Sequence, residues 1–478
     1  MKKLRLFGMI FIGLILFTVS TFYGLVQDVP IQEWVARYNG PNVPSNNTAN
    51  KVAVDSSGSV YVTGQSAGIG TGYDYATIKY DTNGNELWVA RYNGPGNSSD
   101  VAYAIAVDSF GNVYVTGQSV GIGTNYDYAT IKYHTNGNQV WIDRYNGPQN
   151  AIDYAYDIAI DEAGSVYVTG YSDYGTATGT RCDYATLKYD TNGNRMWVAR
   201  YHNTASLGDY IPNDFGRGIA VDQDGYIYVT GLSYGVTQAG GSPTGDIATV
   251  KYDTNGNELW VARYNGSGNG LDDAYAIAVD SFGNVYVTGS SYGIGTGYDY
   301  ATIKYDTNGS ELWVARYNGP ENFADAALDI AVDSFGNVYV TGRSYGSGPG
   351  FDYTTIKYSQ FLSVQIDIKP KEYPNIINLG SNGNVPVAIL STANFDATTV
   401  DPTTVTLAGA DVKLKCNGSP LASLEDVNGD GRLDILVHVN TSAFELTNTD
   451  EEAVLYGKTY NGVRIKGVDT IRIVPSSI

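Results

Sequence analysis

Cysteine and positive charge are scarce in this chain. Its two cysteines cannot form the disulfide framework that stabilises many secreted domains. Its 29 lysines and arginines are outnumbered by 49 aspartates and glutamates, giving a net charge of −20. A nucleic-acid partner would need a basic surface, so this balance argues against one.

Recognisable catalytic motifs are also absent. The three histidines, His134, His202 and His438, do not cluster by sequence, and no G-x-S-x-G elbow, H-E-x-x-H pair, P-loop or dinucleotide fingerprint occurs. We therefore predict no catalytic residue and no residue binding an organic cofactor. Enzyme activity stays open, because acidic residues can meet in the fold, but a role without catalysis is the favoured interpretation.

The N-terminus has the pattern of an export signal. Met1–Arg5 is basic, and the chain is then uncharged from Leu6 to Val26. This is the n-region and h-region of a secretory signal, here assigned to residues 1–26. An uncleaved membrane anchor is the alternative reading, since about 20 apolar residues can span a bilayer. Either reading predicts a secreted or cell-surface protein.

Glycine and tyrosine are abundant, at 57 and 41 residues, and they occur in a repeat. Tyrosine favours strands and glycine favours tight turns. Each copy has three phrases of strand length, such as Ala104–Asp108, Val113–Gly117 and Asp127–Tyr133, followed by a tryptophan phrase such as Trp88–Tyr92. Successive tryptophans lie 54, 53, 56, 63 and 53 residues apart: Trp34, Trp88, Trp141, Trp197, Trp260 and Trp313.

Four strands in about 53 residues is the size of one propeller blade. We name the strands A to D from the axis outward, because the alanine-rich phrase suits the crowded centre and the tryptophan phrase the rim. The first D phrase, Trp34–Tyr38, lacks its A to C strands, and the last triplet, ending at Tyr358, lacks its D strand. We therefore predict an all-β fold in which residues 34–358 form a six-bladed β-propeller closed by the N-terminal strand beside Ile356–Tyr358.

The phrase AIAVDSFGNVYVTG, with the DYATIKYDTNGNELWVARYNG segment that follows it, resembles the prokaryotic β-propeller repeat family labelled SBBP. The resemblance covers about two-thirds of the chain and implies an extracytoplasmic propeller. It implies no activity.

The two faces of the predicted propeller differ in their loops. The A–B and C–D turns are short and nearly invariant among the copies, as hairpins require. The B–C and D–A connections are longer and vary, above all in Tyr171–Arg181, His202–Arg217 and Leu232–Gly245. We expect any ligand on this variable face, although neutral insertion explains the lengths equally well. The repeated Asp-Tyr of strand C is expected to be structural, because it recurs in every copy.

After a short linker, residues 359–363, the period stops. Residues 364–478 contain at least six short alternating segments, which predict a β-sandwich. Within them lies a D-x-N-x-D-G-x-x-D motif similar to the calcium loops of integrin-type propellers and FG-GAP repeats. Oxygen ligands at such spacing, with a glycine at the turn, are typical of Ca²⁺ sites. The predicted metal ligands are Asp426, Asn428, Asp430, Arg432 through its carbonyl, and Asp434.

Three functions remain open. The favoured one is an extracytoplasmic interaction or structural module, for surface display or adhesion, with a calcium-stabilised C-terminal domain. The partner would be a protein or glycan at the cell surface, and membrane contact would occur only through an uncleaved anchor. The alternatives are glycan or small-ligand binding on the B–C/D–A face, and a carbohydrate-active lyase or glycosidase that uses carboxylates on that face.

Overall fold

The computed structural model describes residues 32–42, 46–174, 181–203, 213–235, 244–334, 336–346, 348, 350–379 and 383–474. The predicted signal, residues 1–26, lies outside this part. Among the residues described, no helix is long and apolar enough to cross a membrane.

The repeat region forms antiparallel sheets whose strands follow one another in chain order. Repeats one to five have four strands each and repeat six has three. The strands are β1 (Asn47–Val54), β2 (Val60–Ala67), β3 (Tyr73–Tyr80), β4 (Glu86–Tyr92), β5 (Asp100–Val107), β6 (Val113–Val120), β7 (Tyr126–Tyr133), β8 (Gln139–Tyr145), β9 (Asp153–Ile160), β10 (Val166–Asp173), β11 (Cys182–Tyr189), β12 (Arg195–Tyr201), β13 (Asp214–Val221), β14 (Ile227–Tyr234), β15 (Gly245–Tyr252), β16 (Glu258–Tyr264), β17 (Asp272–Val279), β18 (Val285–Gly293), β19 (Gly297–Tyr305), β20 (Glu311–Tyr317), β21 (Ala326–Val332), β22 (Val338–Tyr345) and β23 (Phe351–Tyr358).

The short turns are made by an aspartate and a glycine. In the turn between β3 and β4, Asp81 Oδ1 accepts the backbone N–H groups of Asn83 and Asn85 at 2.9 and 2.8 Å. Gly84 has φ +80°, which favours glycine. The same arrangement recurs in other repeats, which explains why these turns vary so little in sequence.

Neighbouring repeats pack face to face through tyrosine and small aliphatic side chains. Tyr75 of repeat one is completely buried, and its hydroxyl donates to the carbonyl of Ala129 in repeat two at 3.2 Å. Tyr128 makes the same bond to Ala185 in repeat three, at 3.1 Å. Around these tyrosines lie valine and alanine side chains from both sheets. The core is therefore a series of clusters between sheets, one for each contact.

An arginine network ties the rim of each complete repeat to the one before it. Arg91 donates to the hydroxyl of Tyr38 at 2.9 Å, to Ser66 Oγ at 2.7 Å and to Asp74 Oδ2 at 2.8 Å. Equivalent networks centre on Arg144, Arg200, Arg263 and Arg316. The repeated aspartate of strand C thus pairs with an arginine of strand D.

The sixth repeat differs from the sequence-based expectation. Its sheet contains β21, β22 and β23; among the described residues, Trp34–Tyr38 forms no strand and does not pair with β23. The segment instead lies against repeat one, where the Trp34 indole donates to the carbonyl of Thr82 at 3.2 Å. Trp88 makes the same contact with Thr135 of repeat two. Trp34 thus contacts repeat one in the same way that Trp88, on the rim strand of repeat one, contacts repeat two.

The C-terminal part has two larger sheets and one parallel pair. Its strands are β24 (Leu362–Ser363), β25 (Ile366–Ile368), β26 (Ile376–Asn378), β27 (Asn384–Ile389), β28 (Val400–Leu407), β29 (Ala410–Asp411), β30 (Ala422–Glu425), β31 (Asp434–Asn440), β32 (Glu452–Thr459), β33 (Arg464–Thr470) and β34 (Arg472–Val474), with 3₁₀ helices at Ala397–Thr399 and Thr441–Ala443. The two larger sheets share one hydrophobic cluster. Strand β24 falls inside the predicted linker, because Leu362 and Ser363 pair in parallel with β33.

Candidate functional site

A β-bulge interrupts the first strand of every repeat. In repeat two, Ala102 and Ala104 face consecutive residues of β6, so Tyr103 is the extra residue. A glycine opposite permits this bulge, since a Cβ on Gly117 would lie 2.0 Å from the carbonyl oxygen of Val101. Corresponding register shifts occur in the other repeats. The six bulge residues are Asn50, Tyr103, Tyr156, Arg217, Tyr275 and Leu328.

The bulge residues of adjacent repeats contact one another near the axis. The rings of Tyr103 and Tyr156 have centroids 5.5 Å apart, and the guanidinium of Arg217 lies 5.0 Å from the Tyr156 ring centroid. Arg217 reaches Asp273 of repeat five, with Nη2 3.4 Å from Oδ2. The β-bulges of successive repeats thus place their extra side chains in one arc along the inner strands. The identity of these side chains varies from repeat to repeat.

Further aromatic side chains extend this arc into a cluster. Tyr171 lies between Tyr154 and Phe215, with ring centroids 5.2 and 5.0 Å away. Tyr126 meets Tyr154 edge to face at 5.3 Å. We call the following set the aromatic cluster: Tyr103, Tyr126, Tyr154, Tyr156, Tyr171 and Phe215, with Arg217. Its members are half-buried, so part of this surface remains open to solvent.

Burial dominates the electrostatics beside the cluster. It raises the pKa of Asp273 to about 6, although the Arg217 guanidinium acts in the opposite direction. The pKa of Tyr103 is raised to about 12 by burial and by the neighbouring tyrosines. At neutral pH the tyrosines are therefore uncharged hydroxyl donors, and the Arg217 cation is paired with a carboxylate.

The aromatic cluster lies on the face predicted to be variable, because its residues stand where strand A begins and strand B ends. Parts of the three long loops, residues 175–180, 204–212 and 236–243, lie outside the described residues. The shorter B–C loops end in exposed isoleucines: Ile69, Ile122 and Ile294 are 75, 78 and 77% exposed. The opposite face carries Phe110 and Phe282, which are 82 and 74% exposed.

The cluster lies in strand residues that the repeat pattern predicts as loop. The phrase Ala104–Asp108 predicts only the second half of β5, which begins at Asp100. Asp214–Arg217 and Tyr171–Asp173, both inside predicted loops, belong to β13 and β10. The signal available was the glycine inside the repeated Val-Tyr-Val-Thr-Gly phrase, since a mid-strand glycine often marks a bulge.

The predicted calcium loop forms a tight turn around Asp426. Its Oδ1 accepts the N–H groups of Gly429 and Asp430 at 2.7 and 3.1 Å, and its Oδ2 accepts that of Gly431 at 2.9 Å. Asn428 and Asp430 accept backbone N–H groups two residues ahead of them. The side chains of positions 426, 428 and 430 thus share one turn.

Asp434 is held in a different environment. It is completely buried, and its two oxygens accept the N–H groups of Ser391 and Val427 at 2.7 and 2.9 Å. Arg432 is exposed, and its Nε lies 3.9 Å from Asp430. In the described part of the chain, no three acidic, histidine or cysteine side chains form a group that could hold a metal ion. The donor types suit Ca²⁺, and Asp426, Asn428 and Asp430 share one turn, whereas both oxygens of Asp434 are occupied by backbone N–H groups.

The repeated antiparallel sheets, packed face to face around inner strands, define a β-propeller repeat protein. The family model of the SBBP β-propeller repeat matches residues 87–123, 140–174, 207–237, 259–295 and 328–349. The chain thus carries SBBP-type β-propeller repeats, as its sequence predicted.

Two curated proteins are similar over part of their length. The uncharacterized WD repeat-containing protein L264 of Acanthamoeba polyphaga mimivirus is 25% identical over 342 residues, covering 61% of this chain and 24% of that protein. The regulatory protein FlaEY of Caulobacter vibrioides is 26% identical over 237 residues, covering 45% of this chain and 23% of that protein. The chain therefore spans about a quarter of each relative.

Solved propellers resemble the chain only distantly. A PL25 ulvan lyase has a TM-score of 0.42 at 12% identity, covering 72% of this chain and 92% of that one. The α-L-arabinofuranosidase Arb93A of Fusarium graminearum has a TM-score of 0.39 at 11% identity, covering 64% of this chain and 91% of that one.

Proposed function

We propose that this protein is an extracytoplasmic interaction module that binds a cell-surface partner through its B–C/D–A face. The observation that carries the proposal is the series of bulge residues, one in each repeat. The same β-bulge in each repeat presents one extra side chain near the axis, and this side chain varies among the repeats. Tyrosine and arginine predominate among these bulge residues. These residue types are the ones that most often dominate binding energy in interfaces.

Binding without catalysis is favoured because the carboxylates on the inner strands accept hydrogen bonds from the backbone. Asp157 and Asp329 follow the bulge residues in repeats three and six. Both oxygens of Asp157 accept backbone N–H groups, from Ile158 at 2.9 Å and Ile219 at 3.0 Å. Asp329 accepts the N–H of Ile330. These bonds give the two carboxylates a structural role, so the lyase or glycosidase alternative gains no support from them.

The test compares the two faces of the mature protein. Ile69, Ile122 and Ile294 are changed together to serine, and Phe110 and Phe282 together to serine as the matched control. All five side chains are exposed, so unfolding midpoints should stay close to that of the parent protein. Binding to cell-envelope fractions is measured by sedimentation.

We expect the isoleucine variant to lose binding and the phenylalanine variant to retain it. Equal binding by both variants and the parent protein would contradict the proposal, as would loss confined to the phenylalanine variant. Export is checked separately by sequencing the N-terminus of protein recovered from the envelope or medium. A start after residue 26 supports a cleaved signal, and an intact Met1 supports an anchor.

We further propose that residues 34–358 close into a six-bladed ring. Repeat one has an incompletely covered face, on which a cavity of about 270 Å³ lies beside Trp34, Tyr38, Val60 and Val62. The matching valines Val113 and Val115 of repeat two are completely buried by repeat one.

Repeat six offers the complementary surface. Tyr353 is 99% exposed, whereas the equivalent tyrosines Tyr75, Tyr128, Tyr184 and Tyr300 are completely buried. By analogy with Tyr75, the Tyr353 hydroxyl would donate to the carbonyl of Ala76 on repeat one. Contact between repeats six and one would therefore bury both faces and bring Trp34–Tyr38 to the rim of repeat six.

For the C-terminal region we propose a β-sandwich stabilised by Ca²⁺. The shared cluster between its two larger sheets supports the sandwich. The loop at Asp426, Asn428 and Asp430 supports the calcium proposal, because these three side chains lie on one turn. Gly431, at the sixth position of the motif, has φ +87°. The Arg432 carbonyl and Asp434 would complete the ligands after a local adjustment.

Calcium is tested by thermal unfolding in calcium and in chelator. Saturating calcium at about 100 times its Kd should add about 2.7 kcal/mol to the stability of the domain that binds it. Asp430→Asn should reduce this gain, and Asp411→Asn, an exposed aspartate elsewhere in the domain, should leave it unchanged. Identical unfolding in calcium and chelator would refute the calcium proposal.

A further inference from the structure

We infer that the ligand of the B–C/D–A face is the end of a neutral saccharide chain, which enters between the loops and stacks on the aromatic cluster. The inference rests on the proposed interaction function and names its ligand class. The depth, chemistry and charge of the cluster support it independently.

Depth argues for a narrow ligand. Tyr103 stands three residues inside β5, which begins at Asp100. At about 3.3 Å per residue, its backbone lies roughly 10 Å below the start of the strand. Asp100 pairs with Ser119, so the B–C loop that carries the exposed Ile122 continues beyond the start of β5. A flat protein surface would contact the loop tips but would not reach the aromatic cluster. A saccharide chain one sugar ring wide can contact the loops and also reach the cluster.

The chemistry of the cluster suits a ring with apolar faces and polar edges. Tyr154, Tyr156 and Tyr171 present flat aromatic surfaces in several orientations, with mutual centroid distances of 5.2 to 6.3 Å. Tyrosine also carries a hydroxyl that donates and accepts hydrogen bonds. Arg217 adds donors beside the Tyr156 ring. A pyranose matches this combination, since its C–H groups can stack on the rings while its hydroxyl groups bond to the edges.

Charge argues against an anionic saccharide. The Arg217 cation is paired with Asp273, which is almost completely buried beside it. Asp157 lies one residue beyond the Tyr156 bulge, and Asp329 occupies the matching position in repeat six. The whole chain carries a net charge of −20. Lys51 acts on Asp157 and Arg343 on Tyr275, so with Arg217 the cations only balance the three carboxylates. A uronate or sulfated sugar would find no surplus of positive charge to bind it, which favours neutral sugars.

The test measures saccharide binding to the full mature chain by saturation-transfer NMR and calorimetry. The probes are neutral hexasaccharides of glucose, mannose and N-acetylglucosamine, with hexagalacturonate as the anionic counterpart. Tyr103→Leu removes one ring and hydroxyl of the cluster, and Phe110→Leu is the control on the opposite face. Urea unfolding verifies that both variants remain folded.

We expect at least one neutral hexasaccharide to bind, hexagalacturonate to bind more weakly, and Tyr103→Leu to weaken binding about tenfold, which corresponds to the loss of about one aromatic contact. Absence of neutral binding at about 10 mM, tighter binding of hexagalacturonate, or equal affinity in folded Tyr103→Leu would each overturn the inference.

The two proposals fail separately. If the isoleucine variant loses envelope binding but no neutral saccharide binds, the interaction face stands and its ligand is of another class, such as a protein. If the isoleucine variant keeps envelope binding, the proposed function fails whatever the saccharides do.

Discussion

Closure of the ring can be tested at a single arginine. Five repeats contain an arginine that joins a tyrosine of the preceding rim strand to a serine and an aspartate of its own sheet, as Arg316 joins Tyr264, Ser291 and Asp299. In repeat six the corresponding tyrosine is Tyr317, and the serine and aspartate are Ser344 and Asp352. The corresponding arginine is Arg37 of the N-terminal segment.

The serine and aspartate of repeat six are arranged for such a partner. Ser344 is 2% exposed, and its Oγ is buried with no hydrogen-bond partner among the described residues. Arg37 and Asp352 are both exposed, while Tyr38, next in the chain, already bonds to Arg91 as a preceding rim strand requires. In the closed ring, Arg37 would therefore form the sixth copy of the network.

The magnitude follows from the five existing networks. Their arginine side chains are 21 to 28% exposed and their aspartates 5 to 16%. Hydrogen bonds to charged groups at such sites contribute about 1.5–3 kcal/mol. In a closed ring, Arg37→Met should thus lower the free energy of unfolding by about 1.5–3 kcal/mol. In an open ring, where Arg37 is a surface residue, the change should stay within about 0.5 kcal/mol.

A double-mutant cycle in urea separates these cases. Arg37→Met and Asp352→Asn are combined, and the coupling is compared with that of Arg316→Met and Asp299→Asn, whose side chains lie 2.8 Å apart. Closure predicts similar coupling in the two cycles, about 1 kcal/mol or more. Coupling near zero for Arg37 and Asp352, with normal coupling in the reference cycle, would refute closure through this network.

The remaining predictions concern the scaffold. Gly117→Ala should destabilise the protein by roughly 2 kcal/mol or more in urea unfolding, because its Cβ would meet the Val101 carbonyl at 2.0 Å. Tyr128→Phe should cost about 1 kcal/mol in the same assay, since it removes the bond to Ala185. Burial raises the pKa values of Asp214 and Asp273 to about 6 in the folded protein. The free energy of unfolding should therefore fall as pH rises from about 4 to 6, by up to roughly 3 kcal/mol for each group. Asp273→Asn should make this fall smaller when unfolding is measured across the same pH range.

The repeat was predictable because its information is local. A hairpin turn such as Asp81–Asn85 needs only its own residues, and the tryptophan period indicates the four-strand unit directly. The predicted rim phrase Trp88–Tyr92 lies within β4, which begins at Glu86. The place of Trp34–Tyr38 was harder to predict, because a lone rim segment has no neighbouring hairpin and its proposed partner in repeat six lies more than 300 positions away.

The aromatic cluster was unpredictable for a different reason. Its contacts join separate repeats, as Tyr171 meets Phe215 and Arg217 meets Asp273. The glycine of each repeat indicates the bulge, but whether such residues touch also depends on the spacing of neighbouring sheets, which no single repeat encodes. The calcium loop is the opposite case: its spacing is local, but whether Asp434 joins the ligands depends on the Ser391 amide that binds it here.

The bulge explains how a nearly uniform repeat can carry a specific site. Gly117 permits the Val101 carbonyl to approach, so the backbone shape depends on the glycine and is insensitive to the extra residue, Tyr103. Changing that residue alters the side chain at the axis without disturbing the strand pairs on either side. If this face binds the proposed partner, substitutions at the residue inserted opposite the Val-Tyr-Val-Thr-Gly glycine, such as Tyr103, should change specificity while leaving the strand pairing intact.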